Sequence, residues 1–371
     1  NWATYSRFVG DIFGSALAAE GVFAFFLESG FLAILLFGWD KVKPMTHFVS
    51  TVMVALGAHF SAIWILVANS FQQTPAGYHL VGTGDRVRAE ITDFWEMVFN
   101  PSSMDRLSHT IMASWQTGAL LVISVGAWYL LKKRHMEFAH KSINIALSVL
   151  VVASIGQLIS GHSSADTVAE TQPAKLAAME GHYAASAPAD MYILGWVDDS
   201  REEVRGIRIP GMLSWLIHGD REANIIGLRA FDPRDRPPVN LTFQTYHFMV
   251  AIGMALIGIG LLAALLQWRG ILERQRWFLW VLVFSVLLPQ ISNQLGWITA
   301  EVGRQPWIVY GLLRTEDALS VSVSGGEVAA SLIMFTLIYI LLFVLFLFLL
   351  DQKIRKGPED LSTSSGGMAE L

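Results

Sequence analysis

Seven stretches of the chain are apolar for about 20 residues or more: 13–39, 48–69, 109–131, 142–161, 246–267, 278–300 and 329–350. A helix rising about 1.5 Å per residue crosses a hydrocarbon core of about 30 Å within such a length. Inside these stretches neither the two-residue alternation of a half-buried strand nor the polar stripe of a soluble surface helix recurs. The pattern predicts an all-α, polytopic transmembrane helix bundle of seven spans. Residues 1–161 hold the first four, 162–245 form a long extracytoplasmic loop, 246–350 hold the last three, and 351–371 form a tail.

The connections fix an expected orientation. Lys41 and Lys43 follow the first span, Lys132, Lys133 and Arg134 the third, Arg269 and Arg274 the fifth, and Lys353, Arg355 and Lys356 the seventh. Short basic connections stay on the cytoplasmic side. Residue 1 and the 162–245 loop are then outside and the C-terminus inside. Segments 70–108 and 162–245 are mixed in charge, and long loops escape the charge rule. The tail 357–371, with its STSSGG run, is expected to be disordered.

Composition agrees. The chain of 371 residues is 53% hydrophobic and 15% charged, where soluble domains carry about 25% charged residues. It has no cysteine, which excludes disulfides, iron–sulfur clusters, thiolate-held metal and c-type haem attachment. A net charge of −5 spread over several loops does not suggest nucleic acid. The chain begins Asn1-Trp2 without Met or signal peptide, and the first span starts almost at once, so an N-terminally incomplete sequence is expected.

Charge at membrane depth is the informative exception, because each such side chain costs about 2.5–3.5 kcal/mol even on the lenient insertion scale. Glu20 and Glu28 both lie in the first span. Eight helical positions turn through about 80° and rise about 12 Å, which sets both carboxyls on one side, two turns apart. With the expected topology, Glu20, His109, Met249 (His247 just above it) and Glu301 fall in the outer layer of the membrane. All are residue types that can ligate iron, and a His/Met pair gives a low-spin haem iron. Below them Glu28, Ser29, Ser61 and Asp40 run toward the cytoplasm, the kind of series that proton delivery needs. Each has a structural alternative: Met249 as packing, Ser61 as a helix-packing residue, Asn69 as a helix cap, His59 as a hydrogen-bonded core histidine, and Gly303–Trp307 as a turn. On residues alone the chain reads as a membrane redox protein or a proton-coupled transporter using the buried carboxylates. No repeat relates 1–161 to 242–350, and only Pro289 interrupts a span centrally.

The blocks VGDIFGSALAAEGVFAFFLES (10–29), FGWDK (37–41), SAIWILVANS (61–70), LSHT (107–110), QPAKLAAME (172–180), HFMV (247–250) and GWITAEVGRQPW (296–307) resemble subunit I of the bd-type quinol oxidases, and span nearly the whole chain in the family's order. The resemblance implies a haem-containing terminal oxidase subunit. It would oxidise membrane quinol outside and reduce dioxygen to water with protons from the cytoplasm. His109 and Met249 would be the axial pair of a low-spin haem b. Glu301 would serve a high-spin pair, haem b with haem d or a third haem b, and Glu20 would sit where oxygen is reduced. Asp40, Ser29, Ser61, Glu28 and Asn69 would belong to the proton path. Lys175 and Glu180 would meet the quinol, Arg304 and Trp307 would hold propionates and pack, and Trp297 would mediate between haems. His247 stands where the family commonly has Arg, and would still contact a haem propionate. The family implies a second membrane subunit, and a small single-span one besides. It has nine spans in this subunit, and its loops come in long and short types, of which this is short. The two absent spans are N-terminal and carry a histidine ligand of a high-spin haem, so the chain as it stands is expected to lack a full haem set.

Overall fold

A computed structural model describes residues 1–358; most of the tail expected to be disordered lies outside the described residues. The seven expected spans are present: Gly10–Phe37, Pro44–Gln73, Ser103–Lys132, Met136–Thr171, Val239–Trp268, Arg276–Val302 and Gly325–Lys356, hereafter spans one to seven. The strands are confined to short antiparallel hairpins, Tyr78–Val81 with Arg88–Ile91, Met191–Asp198 with Glu203–Ile209, and Trp307–Val309 with Leu313–Arg314. All three lie at one end of the bundle, the hairpin end. The short Lys- and Arg-rich connections lie at the other, the basic end.

The helices outrun the apolar stretches, because the polar turns beyond the membrane bond to one another. Span four continues to Thr171 rather than giving way to a loop at residue 162. Ser163 donates to the Asp105 carboxylate of span three at 2.6 Å, and the Thr167 hydroxyl donates to its other oxygen. The connecting segment is therefore 172–238. It contains helix Pro173–Met179, the 191–209 hairpin and helix Met212–His218.

Span six is broken into Arg276–Phe284 and Leu287–Val302. The break lies ahead of Pro289, not at it. Pro289 sits in the first turn of the second half, where the missing N–H has no intrahelical acceptor to lose.

One core joins spans three to six, with Leu120, Ile123, Ile143, Leu150, Leu256, Phe278 and Leu282 buried. Gly126 allows the approach of spans three and four, since a Cβ there would stand 2.7 Å from Ile143 Cγ1. A second core at the hairpin end gathers Phe8, Ile12, Phe71, Met97 and Val309. Span seven buries no residue of its own. It is tied in at the basic end, where the Tyr129 hydroxyl donates to the Ile354 carbonyl at 2.8 Å. Its start is closed by a capping box between Ser324 and Glu327. The end of span one is capped from span two: His47 Nε2 lies 3.0 Å from the Leu35 carbonyl, one of the last four of its helix and so without an intrahelical donor.

Candidate functional site

Span one carries a wide turn at Gly21–Phe25, where the backbone bonds run i→i+5. One extra residue in a turn sets the later half back by about 100°, so the two carboxyls, about 80° apart in an uninterrupted helix, come within about 20° of each other. Both then face span two. Ser61 Oγ donates to Glu20 Oε1 at 2.5 Å. Four residues away on the same face, Gly57 leaves room for Glu28: a Cβ there would stand 3.0 Å from the Glu28 Cβ. Ser29 and Asp40 are exposed. Asp40 lies in the basic-end connection beside Trp39, whose ring packs 4.1 Å from His47.

Glu301 closes span six within a polar network at the hairpin end. Asn69 Nδ2 donates to Glu301 Oε1 at 3.2 Å, and Arg304 donates to Oε2. Asn69 is not a cap, since its helix runs on to Gln73; its other amide atom accepts from Arg106 of span three. Gln72 extends the network to the Tyr5 hydroxyl at 2.5 Å. Arg304 is 3% exposed, and its Nε donates to the Trp307 carbonyl at 3.2 Å. Trp307 lies under the Arg314 guanidinium, 4.6 Å from the ring centre. Two guanidiniums, Arg106 and Arg304, thus surround one carboxylate, and the buried Nε of Arg106 has no partner. Arg106 escaped the sequence reading. The available signal was its place three residues before His109, on the same helical face.

His109 is turned toward span four. Its Nδ1 is 3.1 Å from Ser160 Oγ and its Nε2 2.8 Å from the Gln157 amide nitrogen. With the Gln157 amide in this orientation its nitrogen donates, which assigns the lone pair to Nε2 and the proton to Nδ1, toward Ser160. That is the tautomer in which Nε2 can bind a metal while Nδ1 is oriented from behind. Met249 lies against span six, where Gly296 makes room: a Cβ there would stand 2.8 Å from Met249 Sδ. His247 has Nδ1 at 2.9 Å from the Phe243 carbonyl and Nε2 at 2.8 Å from that of Tyr192, so the ring ties the 191–209 hairpin to span five. His59 is the hydrogen-bonded histidine expected, with Nδ1 2.7 Å from the Ala55 carbonyl and Nε2 accepting from Trp115 Nε1 at 2.8 Å. Trp297 is half exposed.

The expected outer layer is therefore resolved into separate pairs. Ser61 and Asn69 are eight residues apart on span two, so the Glu20 and Glu301 sites lie about 12 Å apart along it. Among the described residues no group of three His, Asp or Glu could hold a metal ion.

Lys175 and Glu180 are buried at the two ends of helix Pro173–Met179, although both stand in a segment read as a loop. Lys175 Nζ donates to Gln73 Oε1 at 3.0 Å and to the Ala300 carbonyl at 3.1 Å. Burial, with Arg106 and Arg304 nearby, pushes its ammonium well below the usual range. Burial pushes the Glu180 carboxyl up to about 8, only partly offset by its hydrogen bond with the Tyr246 hydroxyl. Its Oε2 has no partner. A carboxyl that changes protonation near neutral pH is equipped to pass protons.

The model of the family described as Cytochrome bd terminal oxidase subunit I matches residues 1–358. The chain is 36% identical over 370 residues to cytochrome bd ubiquinol oxidase subunit 1 of Bacillus subtilis, covering 97% of this chain and 78% of that protein. It is 33% identical over 425 residues to cytochrome bd-II ubiquinol oxidase subunit 1 of Escherichia coli, covering 96% and 82%. Among solved structures, the bd oxidase from Geobacillus thermodenitrificans superposes with a TM-score of 0.85 at 30% identity, covering 96% of this chain and 81% of that one.

Proposed function

Because the chain belongs to the cytochrome bd terminal oxidase subunit I family, we propose that it oxidises a membrane quinol at the hairpin end, taken as the outside, and delivers protons from the basic end, taken as the cytoplasm, to the reduction of dioxygen. The observation that carries this reading is the pair of intramembrane carboxyls brought onto one face of span two, Glu20 at Ser61 and Glu28 at Gly57. Intramembrane carboxyls of this kind mark proton routes.

The residues fit an iron porphyrin. His109 has the tautomer with a free Nε2 lone pair once the Gln157 amide turns aside, and Met249 has room for its sulfur at Gly296. Arg106 has an unmet buried donor and, with Arg304, outweighs the single Glu301 charge, so the site suits propionate carboxylates. Haem, when bound, supplies electron transfer and oxygen chemistry. His109 and Met249 would hold a low-spin haem b, with Ser160 orienting the imidazole. Glu20 and Glu301 would serve the high-spin haems, b with d or a third b, and Trp297 and Trp307 would pack beside them.

Glu180 and Lys175 would take protons from the quinol hydroxyls. Glu180 has an open oxygen, and burial disfavours the charged ammonium of Lys175, so a proton it takes is readily passed on. On the other face, protons would enter by Asp40 and Ser29 and pass from Glu28 to Glu20 and Ser61. Asn69, bound to Arg106 and Glu301, would organise the haem end rather than the entry. The second membrane subunit, and a small single-span one, would cover surfaces this chain leaves open. Releasing protons on one face and consuming them on the other moves charge across the membrane without a pump.

The test is the reduced-minus-oxidised visible spectrum of the complex, together with quinol-dependent oxygen consumption. Haem b bands and quinol-driven oxygen uptake are expected, and a red-shifted chlorin band would identify haem d. A complex without haem bands would overturn the proposal.

A further inference from the structure

The 191–209 hairpin has two unlike faces. One packs on span five: Val197 and Val204 join Phe243, and Tyr192 lies edge-on to that ring. Glycine permits the contact, since a Cβ at Gly195 would stand 2.9 Å from Val204 Cγ1 and 3.3 Å from Phe243 Cζ, and one at Gly206 only 2.0 Å from the Leu194 carbonyl oxygen. The opposite face follows from the register, in which Leu194 pairs with Ile207 and Trp196 with Arg205. Among the described residues these side chains belong to none of the buried apolar clusters. Trp196 and Ile207 are each 64% exposed and Leu194 54%.

Two bonds set this face at a known depth. Tyr192 is held by His247 and Gly195 by Gln244, whose amide donates to the Gly195 carbonyl at 2.8 Å. From Tyr192 to Asp198 the strand therefore runs toward the start of span five and away from the membrane centre. Along that direction the exposed face changes in order. Leu194, Ile207 and Ile209 come first on this face, while Arg208, ion-paired to Asp190 at 2.8 Å, stands on the other face at the same end. Trp196 and Arg205 follow as a cross-strand pair, and the turn Asp198–Glu203 is charged or polar throughout. Aliphatic, then Trp with Arg, then charge is the sequence of environments met on leaving a bilayer, from hydrocarbon through headgroups to water. A partner protein would not require that ordering.

We propose that the outward face of this hairpin rests in the bilayer interface, with Leu194 and Ile207 among the upper acyl chains and Trp196 and Arg205 at the phosphate level of the lipid. It is a lipid-docking surface continuous with span five. It anchors the segment that carries Lys175 and Glu180 at a fixed height over the membrane.

The absence of cysteine from the chain makes the test direct. Leu194→Cys and, separately, Ile207→Cys are spin-labelled in the intact oxidase complex in phosphatidylethanolamine/phosphatidylglycerol nanodiscs, with the unsubstituted complex as the blank. Relaxation by dissolved oxygen and by a water-soluble nickel chelate is then compared. Greater relaxation by oxygen than by the chelate, in the same sense as a label at Phe248→Cys, is the expected result. Two results overturn the proposal: a label reached mainly by the chelate, which places the face in water, or one reached by neither, which places it under a partner protein. The readout does not depend on quinol oxidation, so it stands or falls apart from the proposed function. Either labelled variant suffices if the other does not assemble.

Discussion

Gly57 of span two has no side chain where Glu28 of span one passes: a Cβ at Gly57 would lie 3.0 Å from the Glu28 Cβ and 3.1 Å from its backbone nitrogen. Alanine normally gains about 1 kcal/mol over glycine inside a helix. Here the contact is with backbone, which cannot swing aside, so the sign reverses. Gly57→Val is expected to lower the melting temperature of the complex, since overpacking typically costs about 1–3 kcal/mol. Glu28→Gln keeps the shape but removes the titrating group, so it is expected to leave the melting temperature nearly unchanged while slowing oxygen consumption. Normal turnover in Glu28→Gln would remove it from the proton route.

His109→Ala or Met249→Ala is expected to abolish the low-spin haem b signal in the reduced-minus-oxidised spectrum. Ser160→Ala is expected to keep the haem but broaden or shift its band, because it frees the imidazole to rotate. An unchanged spectrum in the first two variants would sink the axial assignment.

Glu180 makes a prediction in pH. Burial raises its carboxyl from 4.5 to about 8, so the folded state favours the neutral form. Its contribution to stability is fully present below about pH 4.5 and is lost as pH rises through about 8, at about 1.4 kcal/mol per unit while only the unfolded state is ionised. As a proton acceptor it works ionised, so quinol oxidation is expected to rise as pH approaches 8. Glu180→Gln should flatten that rise and slow quinol oxidation while oxygen reduction from an artificial donor persists. Equal loss of both activities would contradict the quinol role.

Arg106 places a buried positive charge one helical turn from His109. A nearby cation favours the reduced, less positive iron. Arg106→Gln is therefore expected to lower the midpoint potential of the low-spin haem in a spectroelectrochemical titration, a tenfold change in the equilibrium being about 59 mV for one electron. Arg106→Lys should retain most of the native value. The same potential in all three proteins would exclude an electrostatic role.

The membrane class, the number of spans and the anomalous carboxyls at membrane depth were legible in the chain, because they depend on local quantities. Twenty apolar residues cross a bilayer whatever surrounds them, and a carboxyl inside such a run is anomalous without knowledge of its neighbours. The blocks around Glu20, His109, Lys175 and Glu301 carried the family for the same reason. Only tertiary structure decided how those residues are partnered. The wide turn at Gly21–Phe25 brings Glu28 over Glu20 by changing the helical phase, and nothing in that run of apolar residues announces it. Glu301 meets Asn69, and Asn69 meets Arg106, across helices far apart in sequence. Span four outlasts its apolar stretch because Asp105, on another span, holds its last polar turns. Lys175 and Glu180 are buried although their segment reads as an exposed loop, because helix Pro173–Met179 packs against spans four and five and Lys175 reaches Gln73 and Ala300 of spans two and six. Hydropathy along a chain fixes what enters the membrane; which side chains then meet is set by helix phase and by contacts between helices.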